Sequence, residues 1–333
     1  MADIPISLAC WDYDRMLAMK DGSVKPEGVQ LTFLPVMMPE PAFRMLHYGE
    51  FDAAEMSLSW YTRTVLAQQR PFIAIPVFPS RMFRHSCVYV NADSGIREPG
   101  DLRGRRVGCP EYQMTAAVWL KGIMADRHGV PVDSVEYFTG GLEQPGRHET
   151  PMNLPPSIQL TGIGPDKTLS AMLEAGEIDA LYTAHQPSTF RDATGTGTGK
   201  VRRLWPDPGA VERQYFADTG IFPIMHVIVI RWDTYQANRW LARSLLKAFE
   251  ESKRRAYAAL YETTALKYML PFLTEWAESS RQLMGDDPFS YGLHGNEQNL
   301  ATFLRYSHEQ GLCDRLLEPR DLFAEETLET SKI

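Results

Sequence analysis

Short hydrophobic runs alternate with longer helical patterns over most of the 333-residue chain. The runs predict β-strands at Ile4–Cys10, Val29–Pro35, Phe51–Ser57 and Phe72–Phe78, because each is bounded by turn-forming residues. Helical spacing of apolar positions separates several of these runs. Such alternation is typical of βαβ units around largely parallel sheets, so the pattern predicts an α/β fold.

The pattern changes after Asn91, where turn-rich stretches precede a new strand near Leu102–Gly108. We also predict an extended segment at His85–Val90 and a long loop at the Gly- and Pro-rich stretch Gly140–Gly164. The apolar run Phe222–Arg231 is followed by a pattern that predicts a long helix over Thr234–Leu260. A chain of 333 residues also exceeds the ~250–300 residues at which a single core stops growing. We therefore predict two lobes, each a mixed sheet flanked by helices. The first comprises residues 1–91 and 224–333, the second is inserted as residues 92–223, and hinge crossings lie near 87–92 and 223–231.

Composition and charge narrow the class of protein. The chain has 34 basic and 42 acidic residues, and its net charge of −8 does not indicate a surface for DNA or RNA, although local positive charge in a cleft is still possible. It lacks the ~18 consecutive apolar residues of a membrane-spanning helix. The first residues show neither the basic nor the apolar region of an export signal, so we expect a cytoplasmic protein. The four cysteines form no CxxC pair, which argues against a zinc knuckle or a redox site.

Candidate ligand-binding residues follow the predicted strands, because ligands of open α/β sheets bind beyond the carboxyl ends of strands. Trp11 and Tyr13 follow the first strand and could stack on a flat ligand. Ser57 and Ser59 offer hydroxyl groups at another strand end. Core packing of the two aromatics and helix capping by the two serines explain these residues equally well.

A second candidate is the stretch Pro79–Ser86, which carries two arginines and a histidine. In extended geometry Arg81, Phe83 and His85 share one face, and Arg84 points the other way. Two guanidinium groups beside an imidazole suit a carboxylate ligand. The alternative is a salt-bridged strand end on the surface.

A third group of candidates lies in the predicted second lobe and at the return crossing. The helix that starts near Glu111–Thr115 should point its backbone N–H groups at an anionic ligand, unless it is an ordinary capped helix start. The candidates are Tyr112, Gln113, Thr115, His185 and His226. A metal site built from His85, His185, His226 and Glu55 is conceivable, but no ligand-pair spacing supports it, so we predict no metal.

The chain resembles the 4,5-dihydroxyphthalate decarboxylases, which are relatives of the periplasmic solute-binding proteins. The resemblance lies in Gly49–Ser57, in Ile75–Val90 with its Arg-Phe-Arg-His block, and in Leu102–Pro110. It implies a two-lobed fold of the type 2 periplasmic-binding-protein kind. It also implies a reaction, the loss of CO₂ from a hydroxylated aromatic dicarboxylate without an organic cofactor. The partner would be a small aromatic carboxylate, and the resemblance leaves a homo-oligomer open.

The residues permit such chemistry. Arg81 and Arg84 suit the carboxylate that is retained, and His85 or His185 suits delivery of a proton to the ring, with Glu55 as a partner for His85. The alternative function is a ligand-binding protein for transport or sensing that performs no chemistry, because one fold hosts both. Enzymes that make thiamin or menaquinone precursors on the same fold are a third option.

Overall fold

The computed structural model describes residues 3–147, 149–190, 199–262 and 264–328. The strands in chain order are β1 (Ile4–Cys10), β2 (Val29–Pro35), β3 (Ala53–Ser57), β4 (Phe72–Ile75), β5 (Val88–Asn91), β6 (Arg106–Cys109), β7 (Glu136–Thr139), β8 (Gln159–Gly162), β9 (Ala180–Tyr182), β10 (Val201–Arg203) and β11 (His226–Arg231). The helices are α1 (Leu17–Lys20), α2 (Glu40–Tyr48), α3 (Leu58–Val65), α4 (Thr115–His128), α5 (Leu169–Ala175), α6 (Pro208–Thr219), α7 (Trp232–Ala237), α8 (Trp240–Leu260), α9 (Leu273–Met284) and α10 (Glu297–Glu309). Within the described ranges, no helix has both the length and the hydropathy that a bilayer crossing requires.

The chain divides into two compact units. Unit 1 comprises Met1–Arg81, Gly220–Ala301 and Leu317–Ile333, and unit 2 comprises Met82–Thr219 and Thr302–Leu316. These bounds differ from those of the predicted lobes in three places, one of which is that residues 220–223 belong to unit 1 and not to the second lobe. Strand β5, assigned to the first lobe, pairs with β9 and β10 in unit 2, and so the first division falls about ten residues earlier. Residues 302–316, also assigned to the first lobe, pack in unit 2.

Unit 1 is built on a five-stranded sheet in the order β2-β1-β3-β11-β4. Strands β2, β1 and β3 are parallel, whereas β11 runs antiparallel between β3 and β4. Val227–Ile230 of β11 are fully buried, as expected of a central strand covered on both faces. Helix α8 covers the sheet with an apolar stripe that includes Leu241, Leu245 and Phe249, spaced four residues apart.

Unit 2 is built on a six-stranded sheet in the order β10-β5-β9-β6-β7-β8. Strands β9, β6, β7 and β8 are parallel, and β5 is antiparallel to both β9 and β10. Helix α5 packs on this sheet through Leu169 and Leu173, which join Tyr89, Leu181 and Phe190 in one buried cluster.

The central helix of unit 2, α4, is buried on all sides from Thr115 to Met124. A Cβ atom added at Gly122 would lie 2.2 Å from the ring of Tyr306, so only glycine permits this packing. The Tyr306 hydroxyl donates a hydrogen bond to Asp126 Oδ2 at 2.7 Å, which holds the ring in place. Gly129 ends the helix in the left-handed region with a φ of 61°.

Three expectations from the hydrophobic pattern were wrong in detail. The helix predicted over Thr234–Leu260 is broken at Asn238, whose amide donates to the Thr234 carbonyl and whose backbone leaves the helical region. The long loop predicted over Gly140–Gly164 contains β8, an exposed edge strand without hydrophobic alternation. The segment predicted as extended from His85 begins instead with the 3₁₀ turn His85–Cys87.

Candidate active site

A buried carboxylate, Glu55 of β3, is the centre of a hydrogen-bonded group in unit 1. Its side chain has no exposed surface. Oε1 accepts hydrogen bonds from the Tyr13 hydroxyl at 2.7 Å and from Nδ1 of His226 at 2.6 Å. Oε2 accepts from the Trp11 backbone N–H at 3.0 Å and from the Cys10 thiol at 3.4 Å. Four donors therefore converge on one carboxylate.

The sheet of unit 1 explains this convergence. Strands β1 and β3 are parallel neighbours, so the residues that follow Cys10 emerge beside the end of β3. His226 is the first residue of β11 and pairs with Ser57, two positions beyond Glu55 on the same face of β3. His226 is thus the diagonal cross-strand neighbour of Glu55.

The surroundings keep the negative charge on Glu55. Burial alone would raise the pKa of this carboxyl group, but the His226 hydrogen bond and charge, with the Trp11 and Tyr13 donors, hold the pKa below its usual 4.5. Burial and the negative charge of Glu55 raise the pKa of the Tyr13 hydroxyl and of the Cys10 thiol well above their ordinary values. Glu55 is therefore ionised near neutral pH, while Tyr13 and Cys10 keep their protons.

This charge distribution fixes the role of each imidazole nitrogen of His226. An ionised carboxylate only accepts hydrogen bonds, so Nδ1 of His226 must donate to Glu55. No hydrogen bond joins Nε2 to any residue that the structure describes, and 19% of the side chain is exposed. Nε2 is the nitrogen that can meet a ligand. The sequence singled out His226, but it did not indicate that Glu55 is its partner.

Aromatic and cationic groups adjoin the Glu55–His226 pair. The rings of Trp11 and Tyr13 meet edge to face with centroids 5.2 Å apart, and 42% of Trp11 is exposed. The guanidinium carbon of Arg15 lies 4.1 Å from the Tyr13 ring centroid. Arg15 Nε donates to the Pro79 carbonyl at 2.7 Å. Sequence reasoning missed Arg15, although its position just beyond β1 and next to two candidate aromatics was a usable signal.

The two serines of unit 1 differ in burial. Ser57 is half-buried and pairs in register with His226. Ser59, in the first turn of α3, has no exposed surface. The burial of Ser59 is typical of a structural hydroxyl, whereas Ser57 lies close to the exposed edge of His226.

Arg81 has a structural role within unit 1. It is 7% exposed, and its guanidinium donates to the carbonyls of Phe222 at 3.2 Å and Ser290 at 2.7 Å and also to the Asn296 side chain. Burial lowers the pKa of Arg81 to about 10, so the group still carries its charge at neutral pH. These bonds attach Arg81 to the segments around Phe222 and Ser290. Binding of a ligand carboxylate by Arg81 stays a prediction.

The strand-face argument that linked Arg81 with His85 was wrong, because the segment between them is not a strand. Arg81 makes one isolated antiparallel bridge with Ile224, and His85 opens a 3₁₀ turn in unit 2. Arg84 is buried at 7% exposure, and its Nη1 lies 3.8 Å from the Cys87 sulfur. Whether Arg84 binds a ligand stays a prediction.

His85 lies in an aromatic cluster of unit 2. It is 1% exposed, and the rings of Trp205 and Tyr215 each have a centroid 5.2 Å from that of His85. Burial, followed by the influence of His128, lowers the pKa of His85 to about 4. Its Nδ1 has no hydrogen-bond partner among the described residues. A neutral imidazole at pH 7 has no second proton to give, so these surroundings do not favour His85 as an acid.

We expect His85 to make unit 2 sensitive to acid. An unfolded histidine binds a proton below about pH 6.5, whereas folded His85 resists protonation down to about pH 4. Stability should therefore fall as pH decreases across this window, by up to ~3 kcal/mol from this group. His85→Phe should reduce that fall. Urea unfolding of parent and variant between pH 7 and pH 4.5 measures it, and the exposed His185→Gln serves as the control. Parallel pH profiles for parent and His85→Phe would contradict the assignment.

The segment that precedes α4 does not present all its backbone donors to a ligand. The Tyr112 N–H donates to Glu149 Oε2 at 2.7 Å, and Gln113 is fully buried. Lys121 Nζ donates to the Tyr112 carbonyl at 2.7 Å, and burial lowers the pKa of this lysine to about 7. The carboxylate of Glu149 thus occupies a position that the sequence assigned to a ligand anion.

The remaining candidates are Thr115 and His185. Thr115 is the first residue of α4 and is 4% exposed. His185 is exposed in the loop after β9, and its backbone N–H donates to the Thr183 hydroxyl at 3.2 Å. Ligand contacts for both residues stay predictions. Among the described residues, no three histidine, cysteine, aspartate or glutamate side chains are grouped so that they could hold a metal ion.

Comparison with known proteins adds evidence on relationship and fold. No protein-family model matches the chain. The chain is 39% identical over its full length to a 4,5-dihydroxyphthalate decarboxylase of Comamonas testosteroni, and the match covers 100% of that protein. It is 38% identical to the enzyme of the same name from Pseudomonas putida over 65% of this chain and 83% of the relative.

Solved structures share the fold at low sequence identity. The periplasmic aliphatic sulphonate binding protein SsuA of Escherichia coli aligns with a TM-score of 0.53 at 12% identity, over 98% of this chain and 99% of that one. A sulfonate-binding protein of Methylobacillus flagellatus aligns with a TM-score of 0.51 at 10% identity, over 98% and 94% of the two chains. The predicted periplasmic-binding-protein-like α/β fold is therefore confirmed.

Proposed function

The chain belongs to the family of 4,5-dihydroxyphthalate decarboxylases, and we propose that it removes one carboxyl group of a hydroxylated phthalate as CO₂. Identity of 39% over the whole chain supports an enzyme of this family, a carboxy-lyase. The sulfonate-binding proteins share only the fold, which does not favour the alternative of a non-catalytic binding protein.

The reaction requires one proton at one ring carbon. In 4,5-dihydroxyphthalate each carboxylate has a hydroxyl group para to it. The para oxygen donates electron density, so the carbon that bears the carboxylate can accept a proton. The carbon–carboxylate bond then breaks, its electron pair restores the aromatic ring, and CO₂ leaves. The balance is a dianion plus a proton giving a monoanion plus CO₂, and the enzyme must supply that proton.

We propose that His226 supplies the proton from Nε2. The observation that carries this assignment is the buried Glu55 carboxylate, which is 2.6 Å from Nδ1 of His226 and leaves the other nitrogen for the substrate. An ionised partner fixes the orientation of the imidazole, as a carboxylate does in other histidine-based sites. Glu55 acts through His226 and is a positioning residue. Solvent returns the proton to His226 after each turnover.

The neighbouring side chains suit an aromatic dianion. Trp11, exposed and set edge to face against Tyr13, offers a ring surface on which the substrate ring can stack. Arg15 carries a positive charge against Tyr13 and is suited to attract the carboxylate that is retained. Ser57 offers a hydroxyl group next to His226.

The other residues that the sequence suggested remain alternative proposals, which the same assay tests. They are the proton donors His85 and His185 and the binding residues Arg81, Arg84, Ser59, Tyr112, Gln113 and Thr115. A cytoplasmic location and a homo-oligomeric state are likewise proposals.

We expect turnover to depend on a hydroxyl group para to the departing carboxylate. The purified protein should release CO₂ from 4,5-dihydroxyphthalate and from 4-hydroxyphthalate, since both have such a group. Unsubstituted phthalate should bind but release no CO₂. Its ring has no para oxygen that could donate electron density to the carbon that accepts the proton. Manometric or isotopic CO₂ measurement with product chromatography distinguishes these cases. Binding of all three compounds without CO₂ release would instead establish the ligand-binding alternative.

A further inference from the structure

An exposed apolar surface lies between the end of α8 and the end of α9. Thirteen large apolar side chains are exposed among the described residues, and seven of them fall within residues 261–283. They are Tyr261, Leu266, Met269, Leu270, Phe272, Trp276 and Leu283. We name these seven residues the α9 patch.

Several contacts connect the turns after α8 to α9. Backbone hydrogen bonds from Leu270 to Tyr268, from Leu273 to Leu270 and from Trp276 to Phe272 join the connecting turns to α9. The guanidinium of Arg281, near the end of α9, lies 5.7 Å from the centroid of the Tyr261 ring at the end of α8. These contacts link the end of α8 and the connecting turns to α9 within unit 1.

Helix α9 has two apolar stripes, and its own unit covers only one of them. Leu273 and Ala277 are buried and attach the helix to unit 1. Phe272, Trp276 and Leu283 form the second stripe at helical spacing and are 67%, 54% and 36% exposed. Ser279 lies between Trp276 and Leu283 on the same face of α9. Its small side chain permits close approach of another helix.

The area of the α9 patch matches half of a protein interface. A fully exposed large apolar residue presents about 200 Å², so the seven exposed fractions together amount to roughly 700–800 Å². Monomers rarely expose apolar patches larger than about 300–600 Å². A stable interface buries about 800 Å² on each partner. The patch therefore has the area that a dimer needs.

We infer that a second copy of this chain covers the α9 patch, through a two-fold contact between antiparallel α9 helices. A two-fold contact pairs a surface with itself, so both partners need the same apolar area. With the axis passing between Ser279 and Ser280, Trp276 of each protomer packs against the end of the stripe near residue 283 of the other. The small Ser279 residues lie next to the axis, where the helices are closest.

Sedimentation velocity of the full chain at micromolar concentrations tests the inference. The parent should sediment as a dimer of the 37.8 kDa chain. Trp276→Glu places a charge in the centre of the contact and should raise the dimer Kd at least ~30-fold, the loss expected for a central aromatic residue. Leu316→Glu is the matched control, because Leu316 is also 54% exposed but lies outside the patch. Circular dichroism checks that both variants are folded.

Cysteine cross-linking locates the axis independently. All four natural cysteines are buried, so they give little background. Ser279→Cys should form a disulfide-linked dimer under mild oxidation, whereas Thr274→Cys, exposed on another face of α9, should not. A monomeric parent, or a dimer that tolerates Trp276→Glu and cross-links no better at 279 than at 274, would overturn the inference. Neither readout depends on the proposed decarboxylation.

Discussion

Replacing His226 by glutamine should lower kcat by about 10²–10⁴-fold, the usual contribution of general acid catalysis. The Nδ1–H of His226 is held by Glu55 at 2.6 Å, and its Nε2 is not hydrogen-bonded by any described residue. Glutamine can keep a hydrogen bond to Glu55, but it has no proton of suitable acidity for a ring carbon. KM should change far less than kcat, because the lost interaction forms in the transition state.

Two further histidine variants are the controls for this experiment. His85→Gln and His185→Gln remove the donors that the sequence suggested, yet buried His85 is neutral near pH 7 because its pKa is about 4. Both variants should keep most of the parent kcat. If His226→Gln stays within tenfold of the parent while His85→Gln loses 10²-fold or more, then His85 is the donor and our assignment is wrong.

Replacing Glu55 by glutamine should damage both turnover and stability. The carboxylate accepts hydrogen bonds from His226, Tyr13, Trp11 and the Cys10 thiol. An amide offers one acceptor oxygen and turns its NH₂ group towards the remaining donors. A buried hydrogen-bond donor left without its acceptor typically costs about 1–3 kcal/mol of stability. Without its orienting carboxylate a catalytic histidine can lose about 10⁴-fold in rate, so we expect a kcat at least ~10²-fold lower.

The pH dependence of stability separates the effect of the charge of Glu55 from the effect of its shape. Because the pKa of folded Glu55 lies below the ordinary 4.5, its ionised form stabilises the fold fully above pH 4.5. That stabilisation is lost as pH falls through the lower folded pKa. Urea unfolding should therefore show the largest difference between parent and Glu55→Gln near neutral pH and a smaller one below pH 4.5. Glu55→Asp, which keeps the charge, should retain more stability than Glu55→Gln. Equal kcat and equal stability of Glu55→Gln and parent would contradict the role.

The fold was predictable because its strands are marked by hydrophobic runs. Strands β1 and β2 occupy the predicted residues, since apolar side chains and flanking turns define their ends. The sheet to which a buried strand belongs is not encoded in this way. Strand β5 is apolar, as a strand of either unit would be, and only its pairing with β9 and β10 assigns it to unit 2.

The candidate site was less predictable because it depends on contacts between distant strands. Glu55 and His226 are separated by 171 positions, and the antiparallel pairing of β11 with β3 brings them together. The sequence joined both residues only as conceivable ligands of one metal site, and it did not indicate a hydrogen-bonded pair. Conversely, Arg81 and His85 are close in sequence, and an assumed extended conformation joined them, whereas the 3₁₀ turn at His85 removes that geometry.

The packing of Gly122 against Tyr306 also constrains how this family can diverge. A Cβ atom at position 122 would lie 2.2 Å from the tyrosine ring, so the two positions share one fixed volume. A larger residue at 122 overpacks the core unless residue 306 is smaller, and overpacking typically costs about 1–3 kcal/mol. Any lineage that changes one of these positions must pass through a poorly packed intermediate or change both together. We therefore expect positions 122 and 306 to change slowly in evolution, or to change together, although both are far from Glu55 in the sequence.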